Sequence, residues 1–503
     1  MIMSGIRVTY SGLIAFVVGF LGIITGLIFT LIITREFTLD EYGSWSVIGS
    51  LVGYPIVFGA IVSYWTTREV ARGIESGKTA LVTSTFFSII AMGVYLVIIF
   101  FFEQAADIEY FILLFAIILI PAELFKQLLL SIGLAYKPQK SEYGILIFEI
   151  LKIVFVLTFV YFLQMGISGV ILAISVAHFA SSVFLVIALR EKIIGTFKIE
   201  YVKKWLKFSW VPIYPNLSNL INNFDVIIFT VITGSVGGVA YWAASVAVSR
   251  IVHNAVRINK AVYPKLLSEG KREYLRDNLV RVFYFAIPLS ALSIAFSKPA
   301  LFALNPQYLI AFPIIGILVV SSFSRTLSDI FGQSLSGIEK VDVNENSNFK
   351  DYLKSKLILV PTLRAIQRLF YIIILALVLF LIFPLGTSEI DLVTFWAIIA
   401  LFSHIPLTIY LYLLVRKEFS LKINPKPILK YLGSSVLVFG IFYLLVEQFL
   451  EYNESIFAFL PQLLMFIIPP ILGYLAITYI VDKNTRKLFN SILNELKVRK
   501  RGV

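Results

Sequence analysis

The chain has 503 residues, of which 59% are hydrophobic and only 15% are charged, and its mean hydropathy is +0.89. Soluble domains are about 45–50% apolar and about 25% charged, so this composition excludes an ordinary soluble protein, a coiled coil and a disordered chain. The formal net charge is +13. Cysteine is absent, which excludes disulfides and thiolate chemistry. The 3 histidines lie far apart, so the sequence predicts neither a metal site nor a cofactor.

Apolar runs of about 20 residues, the length of a transmembrane helix, recur along the whole chain. Because the runs are continuous rather than alternating, they indicate helices and not the strands of a membrane barrel. The sequence therefore predicts an all-α polytopic membrane protein with about fourteen spans. The predicted spans are residues 11–33, 44–66, 80–102, 110–134, 143–163, 169–189, 209–232, 236–262, 283–304, 309–333, 358–383, 392–415, 431–449 and 458–481.

The connections between the spans alternate in charge. Those on one side, together with both termini, carry 33 Lys and Arg, whereas the opposite side carries only Arg35 and Lys298. The positive-inside rule thus predicts that both termini are cytoplasmic. The expected location is the cell (plasma) membrane. Basic residues spread over many short loops favour membrane lipids as partners and argue against nucleic acid. The outer loops leave no room for a catalytic domain and no catalytic motif occurs, so we expect a protein that is not an enzyme.

Two halves of six spans correspond weakly to each other. His178 precedes Arg190 by twelve residues at the end of span six, and His404 precedes Arg416 by twelve at the end of span twelve. Because six is even, the two halves would have the same orientation and form a parallel pseudo-repeat. The predicted parts are an N-lobe (1–190), a cytoplasmic linker (191–208), a C-lobe (209–415) with a polar insertion (341–356), two additional C-terminal spans (416–481) and a basic cytoplasmic tail (482–503).

Several predicted spans contain both acids and bases. A charge at the centre of a span costs about 2.5–3.5 kcal/mol on insertion scales, so it needs a partner or a wet cavity. Residues three or four apart lie on one face of a helix, which predicts local ion pairs; a role in coupling or gating is the alternative. The pairs are Glu123 with Lys126, Glu149 with Lys152, and Arg325 with Asp329.

Span eight carries cations but no acid. On an α-helix, Arg250, Asn254 and Arg257 form one stripe, which His253 widens. Arg257 is near enough to the cytoplasmic end to snorkel, and Arg364 on span eleven is expected to do the same. Arg250 lies deeper, which indicates a cleft that receives an anion, and guanidinium groups suit phosphate. The candidate anion-binding residues in the central cleft are Arg250, Arg257, His253, Asn254 and Arg368.

Side-chain amides are concentrated on span seven. Asn216, Asn219 and Asn223 form one stripe, and Asp225 follows. Amides at this density must face protein or water rather than lipid. They either bind sugar hydroxyls or join neighbouring helices; with Tyr241 they are the candidate sugar-binding residues, and Asp225 is a further candidate for coupling or gating.

Short motifs along the chain resemble one transporter family. Span one ends in Arg35-Glu-Phe-Thr-Leu-Asp-Glu-Tyr-Gly43, and Arg68-Glu-Val-Ala-Arg72 follows span two. Asp225 lies in a polar span seven, and Val239-Ala-Tyr241 leads to Tyr263-Pro264, although Ala240 stands where the family commonly has Gly. Over all fourteen spans the chain resembles polysaccharide-transport proteins of the multidrug/oligosaccharidyl-lipid/polysaccharide exporter superfamily.

The resemblance implies a flippase that moves a polyprenyl-(pyro)phosphate-linked oligosaccharide from the cytoplasmic to the outer leaflet by alternating access between two six-helix lobes. It further implies a role in cell-surface polysaccharide or glycoprotein synthesis, a monomer, and glycan-assembly enzymes as candidate partners. The alternative is a proton- or sodium-coupled multidrug or cation antiporter of the same superfamily. Against that alternative, residues 11–33 of span one contain no acid, and a cationic cleft suits a cationic drug poorly. A non-transporting scaffold is the third possibility.

Overall fold

The computed structural model describes residues 8–102, 108–261, 272–339, 349–420, 424–486 and 489. These residues are almost entirely helical and include no strand. Two short helices, Arg190–Ile193 and Phe349–Lys354, and a 3-10 helix, Val252–Ala261, accompany the longer ones. The longer helices are α1 (Val8–Glu36), α2 (Leu39–Ala71), α3 (Gly77–Phe102), α4 (Tyr110–Tyr136), α5 (Pro138–Phe162), α6 (Gly166–Ala188), α7 (Ile199–Lys207), α8 (Trp210–Thr233), α9 (Gly237–Ser249), α10 (Arg272–Ala295), α11 (Ser297–Leu304), α12 (Pro306–Gly337), α13 (Lys356–Leu385), α14 (Glu389–Phe419), α15 (Pro425–Phe449) and α16 (Ile456–Val481).

Helical structure occupies all fourteen predicted positions. Within the described residues, ten helices are long and apolar enough to cross a membrane, and an eleventh span results if α10 and α11, which meet at 67°, are counted together. Helices α1, α8 and α9 occupy the other three positions. Because a backbone in lipid must satisfy its own hydrogen bonds, helices are the expected outcome of such apolar runs. The all-α polytopic class is confirmed, whereas fourteen crossings and cytoplasmic termini stay predictions.

The position predicted for span eight departs from one continuous α-helix. Helix α9 ends at Ser249, a turn occupies Arg250 and Ile251, and the chain continues as the 3-10 helix Val252–Ala261. A 3-10 helix of 10 residues is unusual, because such runs rarely exceed about four. Because the α-helix is interrupted at Arg250 and Ile251, the α-helical stripe predicted to run from Arg250 through Asn254 is wrong.

The chain divides into two compact units, and the first comprises Met1–Tyr241 with Ile372–Leu392. In it, α5 packs against α1 and α6, α4 packs against α2, α3 and α6, and α8 packs against α2. Close approach of α5 and α6 depends on Gly144, because an added Cβ would lie 2.8 Å from Leu185. Ser181 of α6 donates a hydrogen bond of 2.7 Å to the Gly144 carbonyl. Small residues at such crossings are typical of membrane helix packing.

The second unit comprises Trp242–Tyr371 with Val393–Val503. Helix α10 packs against α12, α15 and the 3-10 helix, and α15 packs against α16. Tyrosines tie α16 to α10 and α15 to the end of α16: the Tyr474 hydroxyl donates to the Tyr284 carbonyl at 2.8 Å, and the Tyr431 hydroxyl donates to Asp482 at 2.9 Å. These buried hydroxyls are satisfied, which makes the aromatic cluster both apolar and specific.

Large apolar side chains point outward from many helices. Phe101 of α3, Phe380 of α13 and Phe457 of α16 are 75%, 69% and 82% exposed. In water such a surface would drive association, whereas it is the expected boundary with lipid. This distribution and the apolar helices indicate a multi-pass membrane protein.

Candidate functional site

A group of cationic side chains surrounds a single carboxylate in the second unit. The Asp329 Oδ1 atom of α12 is 2.7 Å from Nη2 of Arg364 on α13, and its Oδ2 atom is 3.8 Å from Nε2 of His253 on the 3-10 helix. Gly332 lies one turn from Asp329, and an added Cβ there would lie 2.8 Å from the Arg364 guanidinium. This glycine therefore leaves the room in which Arg364 reaches across to Asp329.

His404 of α14 extends this group. Its ring is buried, and the guanidinium groups of Arg368, Arg325 and Arg364 act on it electrostatically. In the described part of the chain, neither ring nitrogen of His404 has a hydrogen-bond partner. A buried imidazole without a partner is uncommon and calls for a physical reason, such as a ligand or ordered water. We call Arg325, Arg364, Arg368, His253, His404 and Asp329 the cationic cluster.

The cationic cluster lies well inside its helices. On α13, Arg368 is twelve residues from the first residue, Lys356, which is about 18 Å along the axis. On α12, Arg325 is likewise twelve residues from the last residue, Gly337. Both helices are long and apolar enough to cross a membrane, and charged groups within such a span need a partner or a wet cavity.

Two of the residues predicted for span eight, Arg250 and Asn254, lie at or just after the break in that span. Arg250 is exposed in the turn that follows α9, and Asn254 is half-buried on the 3-10 helix. His253 is the member that joins the cationic cluster, through Asp329. The side chain of Arg257 lies outside the described residues. Among the described side chains, Arg250 and Asn254 therefore do not lie on one continuous α-helix.

Two expectations about the cluster are wrong. Arg325 forms no ion pair with Asp329 in the described part of the chain, because Asp329 pairs instead with Arg364 on the neighbouring helix. Arg364 is accordingly held by a carboxylate rather than extended along the membrane surface. The sequence missed His404 as a site residue, and its only signal was the twelve-residue spacing to Arg416 that it shares with His178.

The first unit contains a second ionic network, and here the local pairs are confirmed. Lys126 is 3.0 Å from Glu123, and Lys152 is 2.7 Å from Glu149. His178 of α6 is 3.0 Å from the same Glu123 carboxylate, through Nε2. Thr25 of α1 donates a hydrogen bond of 2.5 Å to Glu149. Every carboxylate thus has a basic partner three residues away, and a role of this network in coupling stays a prediction.

The two networks differ in the basic residues around their histidines. His178 stacks on Phe148 with ring centroids 4.4 Å apart, and the Lys126 ammonium lies 4.1 Å from the same ring centroid. In the first unit, Lys126 and Lys152 each pair with a glutamate, whereas the groups that act on His404 in the second unit are three arginines.

The three candidate sugar-binding asparagines lie on the single helix α8 and make different contacts. Asn216 donates a hydrogen bond to Pro212 of its own helix at 2.9 Å, and Asn219 is exposed. The Asn223 amide packs against Gly53 of α2, where an added Cβ would lie 3.1 Å from Nδ2. Of the two interpretations, helix-to-helix contact is the one observed for Asn223.

Tyr241 and Asp225 lie apart from the amides near the start of α8. Tyr241 is close to Glu389 and Asp40, beside the α8–α9 connection, which is about 25 Å along α8 from Asn216. Asp225 is buried, and its Oδ1 atom accepts a hydrogen bond of 2.8 Å from the Val226 amide. In the described residues, no group of three or more His, Asp or Glu side chains has a geometry that could hold a metal ion.

No protein-family model and no curated protein sequence matches this chain. Among solved structures, the fold is similar to that of the lipid II flippase MurJ in an inward closed conformation, with 18% identity and a TM-score of 0.65 over 96% of this chain and 100% of that one. It is also similar to an inward-facing multidrug resistance MATE family transporter of the MOP superfamily, with 15% identity and a TM-score of 0.57 over 79% of this chain and 94% of that one. The chain therefore shares the fold of these transporters.

Proposed function

We propose that this protein is a flippase that carries a polyprenyl-(pyro)phosphate-linked oligosaccharide from the cytoplasmic to the outer leaflet of the plasma membrane. The observation that carries the proposal is the cationic cluster, in which three guanidinium groups act on an unpartnered buried imidazole and face one carboxylate. A phosphate or pyrophosphate supplies the missing negative charge and accepts the bidentate hydrogen bonds that guanidinium offers. The shared fold with a lipid II flippase is a further support.

In this proposal, the residues of the cluster have separate roles. Arg325 and Arg368 bind the phosphate, because both guanidinium groups act on the buried His404 ring, to which the phosphate would also bind. Asp329 holds Arg364 in position, and it disfavours a second anion at that point by repulsion. His404 contributes a hydrogen bond from one ring nitrogen. Glycan-assembly enzymes are the partners that would supply the lipid-linked substrate.

The test is translocation of a fluorescent lipid-linked saccharide in reconstituted vesicles. We expect Arg325→Gln and Arg368→Gln, combined in one variant, to lower the initial rate at least tenfold. The matched control combines Arg416→Gln and Lys417→Gln at the exposed end of α14, which removes the same two charges outside the cluster and should transport like the wild type. Equal rates for the two variants would overturn the assignment of the phosphate site.

The second candidate function is a proton- or sodium-coupled antiporter, which the fold shared with a MATE transporter favours. The carboxylates it requires are available in the first unit, but Glu123 and Glu149 are both ion-paired with lysines. The same vesicles distinguish the two functions. Ion-linked dye efflux without movement of any saccharide lipid would replace the flippase with the antiporter.

A further inference from the structure

An apolar groove of about 660 Å³ lies within the second unit, away from the cationic cluster. Its walls come from α10, α11, α12 and α15, and its floor includes the buried side chains of Ile287, Val319 and Phe439. The rim consists of exposed apolar residues, among them Val436 at 62%. An opening edged by apolar side chains faces hydrocarbon rather than water, so the groove is open to the lipid around the protein.

Two features of the helices create this groove. The first is the 67° bend between α10 and α11, which turns α11 away at one end. The second is glycine on facing walls: Gly316 of α12 and Gly440 of α15 line the groove, and an added Cβ at either would meet nothing within 4 Å. The groove is therefore real free space in the packing and not a gap that a neighbouring side chain can fill.

The groove has the length of one leaflet and a polar end. Its lining on α15 extends from Leu432 to Glu447, which is about 22 Å along the helix axis. That distance covers the hydrocarbon of one leaflet, about 15 Å, and reaches the head-group region. At this end Nζ of Lys298 is 2.7 Å from Oε1 of Glu447 and 5.0 Å from the Phe312 ring centroid. A hydrocarbon chain fits the apolar length, and a head group meets the charged end.

The charged end selects the type of head group. Lys298 and Glu447 carry opposite charges, and their side chains are 33% and 41% exposed. An ammonium has three donors and a carboxylate has several acceptor sites, so both groups keep capacity for a ligand after pairing with each other. A head group with both phosphate and amine is complementary to the pair, whereas a purely anionic one would be repelled by Glu447.

We propose that this groove binds one zwitterionic phospholipid of the leaflet at the Lys298–Glu447 end, its chain along α15, its phosphate on Lys298 and its amine on Glu447. The lipid is a resident ligand of the second unit and not the transported molecule. It fills the space left by Gly316 and Gly440 and supports the bend between α10 and α11. The proposal is independent of the transported substrate, because none of these residues belongs to the cationic cluster.

The test is native mass spectrometry of the full-length protein with added phosphatidylethanolamine or phosphatidylglycerol. We expect one tightly bound phosphatidylethanolamine per wild-type chain. Gly440→Leu and Gly316→Leu, singly and together, should weaken that first binding event at least tenfold. Gly433→Leu is the matched control: it lies on the same helix in open space but outside the groove, and it should bind like the wild type.

A second pair of variants tests the head-group contacts without changing the groove. Lys298→Gln with Glu447→Gln should retain a bound lipid but lose the preference for phosphatidylethanolamine over phosphatidylglycerol. Equal binding by the Gly440→Leu and Gly433→Leu variants would overturn the site, and equal affinities of the wild type for both lipids would overturn the head-group assignment. Displacement of the bound lipid by a polyprenyl phosphate would show that the groove serves the transported lipid, which also contradicts the proposal.

Discussion

Replacement of Gly43 by alanine tests the packing of α2 in the first unit. A Cβ at this position would lie 1.9 Å from the carbonyl oxygen of Val236 and 2.6 Å from its carbonyl carbon. Ordinary contacts begin at 3.4 Å, so the two backbones must separate by about 1.5 Å. The opposing group is backbone and cannot rotate away as a flexible side chain would.

Overpacking of this kind costs about 1–3 kcal/mol. For a unit of this size, 1 kcal/mol corresponds to about 2–4 °C, so we expect Gly43→Ala to lower the Tm by about 2–12 °C. The assay is thermal unfolding of the purified protein, followed by intrinsic fluorescence.

The matched control is Gly49→Ala, six residues further along α2. A Cβ there meets nothing within 4 Å, and alanine is favoured over glycine in a helix by up to about 1 kcal/mol. The Tm of this variant should equal or exceed that of the wild type. Equal stability of the Gly43→Ala and Gly49→Ala proteins would refute the close approach of α2 and Val236.

Three further predictions concern other parts of the molecule. Glu69→Ala removes the carboxylate that is 3.3 Å from the indole nitrogen of Trp205 on α7. Loss of this contact should speed trypsin cleavage around α7. The control variant Glu75→Ala, at an exposed position, should be cleaved like the wild type. Trp396→Phe loses the 2.7 Å hydrogen bond to the buried Tyr371 hydroxyl and should cost about 1–3 kcal/mol in unfolding experiments; an unchanged Tm would contradict that bond. For a flippase with an anionic substrate, an inside-negative potential of 100 mV contributes about 2.3 kcal/mol per charge moved outward. Collapsing the potential in vesicles while ion gradients are kept should therefore slow transport, and unchanged flux would exclude this driving force.

The positions of the helices follow from the sequence because membrane insertion depends on a local property, the length of an apolar run. The break at Arg250 does not follow, since neither Pro nor Gly marks it. Tertiary contacts decide the geometry there: the 3-10 helix packs against α10 and α12. A periodicity of 3.6 applied across such a break assigns side chains to the wrong face.

The same distinction separates the ionic contacts that could be predicted from those that could not. The pair of Glu149 and Lys152 is fixed by helix geometry alone, so spacing was sufficient. Asp329 and Arg364 are 35 residues apart in the sequence and meet only because α12 and α13 pack together. The environment of His404 depends on three helices, and a single sequence contains no record of such a contact.

The 3-10 helix differs from an α-helix in its rise and in its rotation per residue. Its rise is about 2.0 Å per residue, against about 1.5 Å in an α-helix, so rewinding Val252–Ala261 would shorten this segment by about 5 Å. Each residue would also turn by about 100° instead of about 120°, which changes the direction of side chains at the far end by roughly half a turn. Because His253 on this segment contacts Asp329, such a transition would change the length and the rotation of a segment attached to the cationic cluster.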